Sequence, residues 1–198
     1  MNMPTSTIYK RTIIEEITRY LRTDDVVVLH GARQVGKTSI LYYLQNLLRE
    51  KGEITYYIDL EDSRFVRTLD QGVGEFIKLL REEGFKIPAA KKIYVFIDEI
   101  HYLADPSSFL KYTADHHKSL KLIVSGSSSF AIKSKFRDSL VGRTVNFEIF
   151  PLSFAETLIF REYAFEVGKS FTRKKIDELR NLFKEYSLYG GYPKIVLT

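Results

Sequence analysis

The sequence predicts an α/β fold, a central parallel sheet with helices on both faces. Three observations predict it. Short runs that are apolar along their length alternate with segments of helical periodicity, the pattern of strands buried on both faces. A loop with glycines at both ends joins the first of these runs to a helix. Hydrophobic residues make up 44% of the 198 and charged residues 28%, enough apolar material for one substantial core.

Each element has its local reason. Ile13, Ile14, Ile17, Tyr20 and Leu21 recur at helical spacing and predict an amphipathic helix over 8–21. Asp24 and Asp25 precede a β-branched strand, 26–30. A helix over 37–51 stops at Gly52, and "ITYYIDL", 54–60, is a second strand. Residues 65–83 read as one helix, with Gly72 and Gly74 weakening its middle. The third strand is "KIYVFI", 92–97, and "DPSS" caps a helix over 107–117. A fourth strand covers 120–125, a helix 127–140 and a fifth strand 144–150. Beyond Pro151 the pattern is helical only: Ser153 and Glu156 fit a capping box, and a last helix over 173–189 ends at "YGGYP". The division is therefore expected near Pro151, with a core over 1–150, including an N-terminal helix at 8–22, and a helical extension over 151–198.

Composition narrows the function. No cysteine is present, so there is no disulfide framework, thiolate nucleophile or cysteine-ligated zinc. No apolar run approaches the roughly 20 residues that span a bilayer, and "MNMPTSTIYKRTIIEE" lacks the apolar stretch of a signal peptide. No membrane partner and a cytoplasmic location are expected. The net charge of +5 favours anionic partners in general, but the cations are scattered among acids, so support for DNA is weak.

The loop "GARQVGKTS", Gly31, Ala32, Arg33, Gln34, Val35, Gly36, Lys37, Thr38 and Ser39, fits G-x-x-x-x-G-K-[ST] between strand and helix. Glycine at its two ends permits backbone turns that aim consecutive N–H groups at one anion, and the helix adds its positive N-terminal end. Lys37 is the partner for β- and γ-phosphates, and the Thr38 hydroxyl is a ligand for Mg²⁺. The loop is expected to hold a nucleoside triphosphate.

The third strand ends in Asp98 and Glu99. An acid there enters the crevice at the carboxyl edge of the sheet, where open α/β folds bind ligands. Asp98 is the expected Mg²⁺ ligand, and Glu99 is either the carboxylate that orients and deprotonates the attacking water or a cap for the following segment. His101 completes D-E-x-H, a pattern found in a group of helicases, or is an ordinary residue of the turn. At the tip of the fourth strand Ser125 or Ser127 either bonds the phosphate or attacking water, or caps the next helix. Arg143 is either a transition-state cation, in cis or toward a neighbouring subunit's nucleotide, or a surface arginine. The pair His116–His117 reads as a solvent-facing helix end.

"HGARQVGKTS", "YVFIDEIHYL", "VSGSSS", "LVGRT", "FPLSFAE" and "YGGYP" occur in the order found in a group of archaeal and bacterial AAA+-type ATPases, which the chain resembles over residues 8–193. The resemblance implies a P-loop NTPase three-layer sandwich with strand order 5-1-4-3-2. It also implies nucleotide contacts from Lys37 and Thr38, a metal ligand in Asp98 and a catalytic acid in Glu99. By the same likeness Ser127 matches the sensor turn and Arg143 the G-R arginine. Such proteins run on past G-G-x-P into further domains, whose activities do not carry over to these residues. ATP and ADP are preferred over guanine nucleotides by the resemblance.

The first functional reading is an Mg²⁺-dependent ATPase that couples hydrolysis to conformational change, with a homo-oligomer if Arg143 acts in trans. The others are a nucleotide-gated switch with negligible turnover and a DNA-dependent translocase.

Overall fold

A computed structural model describes residues 9–126, 140–163 and 171–197. The predicted helix over 127–140 falls almost wholly outside them, as does Ser127. Within the chain, residues 1–33 and 37–149 form one compact unit, and residues 34–36 and 150–198 a second.

In the first unit α1 (Ile13–Tyr20) leads into β1 (Val26–Gly31), followed by α2 (Lys37–Glu50) and β2 (Ile54–Asp59). Then come α3 (Ser63–Asp70), α4 (Val73–Glu82), β3 (Ile93–Asp98), a short 3-10 turn (Ile100–Tyr102), α5 (Pro106–His116), β4 (Leu120–Gly126) and β5 (Thr144–Ile149). All pairings are parallel and the order is β2-β3-β4-β1-β5, the order implied by the family resemblance. The sheet's three inner strands, β1, β3 and β4, are buried at every residue. Backbone hydrogen bonds consume their polar groups on both sides, and the side chains fill the two helix-facing layers. Among the described residues a core apolar cluster joins β1, β3 and β4 to α4 and α5 through Val28, Phe76, Leu80, Val95, Leu110 and Val124.

The structure differs from the expectation in three places. The strands β2 and β5 lie at the sheet's edges and are buried only at Ile58 in β2 and at Phe147 and Ile149 in β5, so burial along the whole length holds only for the centre. The single helix over 65–83 is two. It breaks at Gln71–Gly72, where Gly72 has φ 115°, and the side chain of Asp62 starts α3 by accepting from the Arg64 N–H. The first helix begins at Ile13 rather than residue 8, and buries Ile14, Ile17 and, at its end, Leu21.

In the second unit α6 (Phe154–Phe160), α7 (Arg173–Tyr189) and α8 (Pro193–Val196) carry the cap expected at Ser153–Glu156, with both reciprocal bonds present. The distant segments "PLSF" and "YGGYP" meet here. Leu152 N–H donates to Gly191 O at 2.6 Å, and Tyr186 Oη donates to Leu152 O at 3.0 Å. Arg161 binds Glu185 through two parallel bonds of 2.9 and 2.7 Å. Among the described residues no helix is long and apolar enough to cross a membrane.

Candidate functional site

Because the strands are parallel, β1, β3 and β4 end on one edge of the sheet. Strands lie about 4.8 Å apart, so the ends of β1 and β3 are about 10 Å apart with the end of β4 between them. That edge collects Gly31, Asp98 and Ser125–Gly126, and α2 starts from it at Lys37.

The loop leaves β1 under a steric constraint. Gly31 has φ 153°, and a Cβ built there would stand 2.2 Å from the carbonyl oxygen of Ile149 on β5. Only glycine fits against that carbonyl. Gln34 (φ 64°) and Gly36 (φ 96°) also take left-handed backbone, which curls the segment so that its N–H groups can converge. Ala32, Arg33, Gln34, Thr38 and Ser39 are exposed, whereas Val35 and Lys37 are buried.

Lys37, 4% exposed, bends back along the loop and donates to Gly31 O at 3.2 Å and Ala32 O at 2.8 Å. Burial lowers its pKa, and the fields of Glu99 and Asp98 partly offset that effect. The loop lysine, Asp98 at the end of β3 and Glu99 just after it therefore share one electrostatic neighbourhood.

Asp98, 3% exposed, is held on both oxygens. Its Oδ2 accepts from Tyr57 Oη at 2.9 Å; its Oδ1 accepts from the Glu99 N–H at 3.1 Å and from Ser125 Oγ. Ser125 also accepts from the Glu99 N–H at 3.2 Å. Tyr57 lies on β2, and its ring stacks on Tyr42 of α2 at 4.7 Å and 12°. Burial, then the Asp98 carboxylate, push the Tyr57 phenol far above its ordinary range, so it stays a proton donor.

Glu99 adopts left-handed backbone (φ 55°, ψ 46°), an uncommon state for this residue type that breaks the strand and opens the 3-10 turn. Its Oε2 lies 3.0 Å from His101 Nδ1, so the His of D-E-x-H sits against the acid rather than apart from it.

Of the residues singled out in the sequence, the loop, Asp98, Glu99 and Ser125 come together at this edge. Arg143 does not. Its carbonyl accepts from the Val26 N–H at the start of β1, and its Nε binds Asp115 Oδ1 at 2.7 Å. Six residues of strand, about 20 Å, separate it from the loop of the same chain, which removes the in-cis reading. Sequence reasoning missed Tyr57 and Tyr42. The only signal for Tyr57 was its place near the end of the strand adjacent to β3, legible once the register is known.

The donor set suits a hard divalent cation. Thr38 and Asp98 offer oxygen only, and among the described residues no three His, Cys, Asp or Glu side chains gather as a self-sufficient cage. Mg²⁺ is commonly held by one or two protein oxygens with phosphates completing the shell.

Residues 23–158 match the model of the family described as "AAA domain". An uncharacterised protein of Methanocaldococcus jannaschii is 28% identical over 187 residues, which are 94% of this chain and 40% of that protein. The chain spans less than half the length of the curated relatives it matches. Among solved structures, PCH-2 of C. elegans superposes with a TM-score of 0.63 at 15% identity, over 95% of this chain and 61% of that one. AMPPCP-bound DnaA from Aquifex aeolicus gives 0.55 at 16%, over 95% and 66%. These likenesses are of fold.

Proposed function

The chain belongs to the AAA domain family, and from that premise we propose that it binds ATP at Gly31–Ser39 and hydrolyses it with Mg²⁺. The observation that carries the reading is the convergence of buried Lys37 with Asp98 and Glu99 at one sheet edge. Loop N–H groups and the start of α2 receive the phosphates, and Lys37 exchanges the carbonyls of Gly31 and Ala32 for β- and γ-phosphate oxygens. Thr38 and Asp98 would hold Mg²⁺, which neutralises charge developing on the phosphoryl group. Glu99 accepts the proton of the attacking water at a carboxylate oxygen. Tyr57 and Ser125 fix the Asp98 carboxylate, so no reorientation is needed when the cation arrives. Residues 1–150 are then the ATPase core and 151–198 the start of a helical subdomain. Arg143 would serve only a neighbouring subunit's nucleotide and must first leave Asp115.

The contact between Glu99 and His101 favours a second reading, a nucleotide-gated switch in which the imidazole holds the acid away from water. Phosphate release from ATP and Mg²⁺ separates the two, measured at two protein concentrations with and without DNA. Hydrolysis by the intact chain should fall by about 10²–10⁴-fold in Glu99→Gln while nucleotide stays bound. Equal rates in the two proteins would remove Glu99 from the chemistry, and tight binding without turnover under every condition would favour the switch. Lys37→Ala should weaken ATP binding at least about a hundredfold, because a charge-assisted phosphate contact is lost. Unchanged affinity would sink the assignment of the loop.

A further inference from the structure

At the edge of the sheet opposite the phosphate loop, a cavity of about 630 Å³ opens between the end of α4, the segment before β3 and the turn from α5 into β4. Its volume lies within the range of small-molecule sites, about 300–1,000 Å³. The charged and titratable side chains lining it are Arg81, Lys92, His116, His117 and Lys118, and none of the lining residues is acidic. Pro88 and its apolar neighbours form the remaining wall.

Three independent chain segments bring these groups to one place, which distinguishes them from a run of charge along one helix. Arg81 is anchored by donating from Nη2 to Ile87 O at 3.0 Å, so the guanidinium is tied to the cavity wall. Lys92 pairs with Asp24 at 2.7 Å, and Asp115, just before His116, is engaged by Arg143. His117 is pushed below its ordinary range by burial, then by His116 and Arg81. Like charges gathered around a concave surface cost free energy unless an anion relieves them.

We propose that this cavity is a second ligand site, for a small phosphate-bearing anion, distinct from the phosphate loop. Arg81 and Lys118 would contact phosphate oxygens, and the imidazoles of His116 and His117 would donate to them. A compact polyanion is favoured over a nucleic-acid backbone because the cations line one concavity rather than form a stripe across the surface.

Inorganic pyrophosphate is the probe, titrated by calorimetry into the full chain carrying Lys37→Ala, which disables the phosphate loop. Saturable one-to-one binding is expected, weakened at least about tenfold by adding Lys118→Glu and His116→Gln. Those two positions are exposed, whereas Arg81 holds the loop and is left intact. The unmutated chain gives a second reading through the nitrogen resonances of its four histidines. The signals of His116 and His117 should move with pyrophosphate, and those of the double variant's remaining His117 should move only at concentrations at least about tenfold higher. Absence of saturation in both measurements overturns the site, as does binding indifferent to Lys118→Glu and His116→Gln. Retention of a single-stranded oligonucleotide without pyrophosphate binding would overturn the assigned ligand class.

Discussion

Replacing Tyr57 with Phe deletes one oxygen from the support of Asp98 and leaves the Tyr42 stack in place. A hydrogen bond to a charged acceptor contributes about 1.5–3 kcal/mol to stability. Asp98 keeps its bonds from Ser125 and the Glu99 N–H, and Tyr57 is half-buried, so the low end applies, about 1.5 kcal/mol. In a chain of this length that lowers Tm by roughly 3–6 °C. No tryptophan is present, so urea unfolding is best followed by far-ultraviolet circular dichroism. A double-mutant cycle with Asp98→Asn isolates the pair. Tyr57→Phe should cost much less in the Asp98→Asn background, with a coupling of about 1 kcal/mol or more. Additive effects, within about 0.5 kcal/mol, would refute the claim that Tyr57 acts through Asp98.

Lys121 supplies a pH test. It is 1% exposed and donates to the Thr23 and Asp25 carbonyls at the base of β1, and burial, only partly offset by Asp25, lowers its pKa to about 8. Between about 8 and its ordinary 10.5 the unfolded chain binds more protons than the folded one, so stability rises with pH through that window. Relative to Lys121→Met, the natural protein should gain on the order of 2 kcal/mol across it in urea melts, and a constant difference would contradict this. Gly31→Ala should destabilise the fold by about 3 kcal/mol or more, since its Cβ meets the Ile149 carbonyl and φ is unfavourable. A thermal melt within 2–3 °C of the natural chain, roughly 1 kcal/mol, would show that β5 yields at no cost.

The phosphate loop and the Asp98–Glu99 pair were legible because their chemistry is local: a strand, a turn and a helix start adjacent in sequence. Strand order came with the motif series rather than with periodicity. The break at Gly72 was half-visible, since two glycines weakened the helical pattern without saying which would turn the chain. What escaped required register. Tyr57 and Asp98 are 41 residues apart and meet only when β2 and β3 are aligned. Arg143 is instructive in the opposite sense. A residue preceding a parallel strand stands at the edge away from the loops that follow the strands, so its distance from the phosphate loop could have been inferred from topology.

The position of β1 also governs the order in which the molecule can be assembled. None of its partners is a neighbour in sequence: Val27 pairs with Ile123 and Val26 with Thr144, roughly a hundred residues later in the chain. During synthesis the apolar run Val26–Leu29 must wait, unpaired, until β4 has emerged from the ribosome, whereas β2, β3 and β4 join one after another. The protected core of the sheet should therefore appear late and abruptly as nascent chains lengthen past β4, and shorter intermediates should be those that chaperones hold.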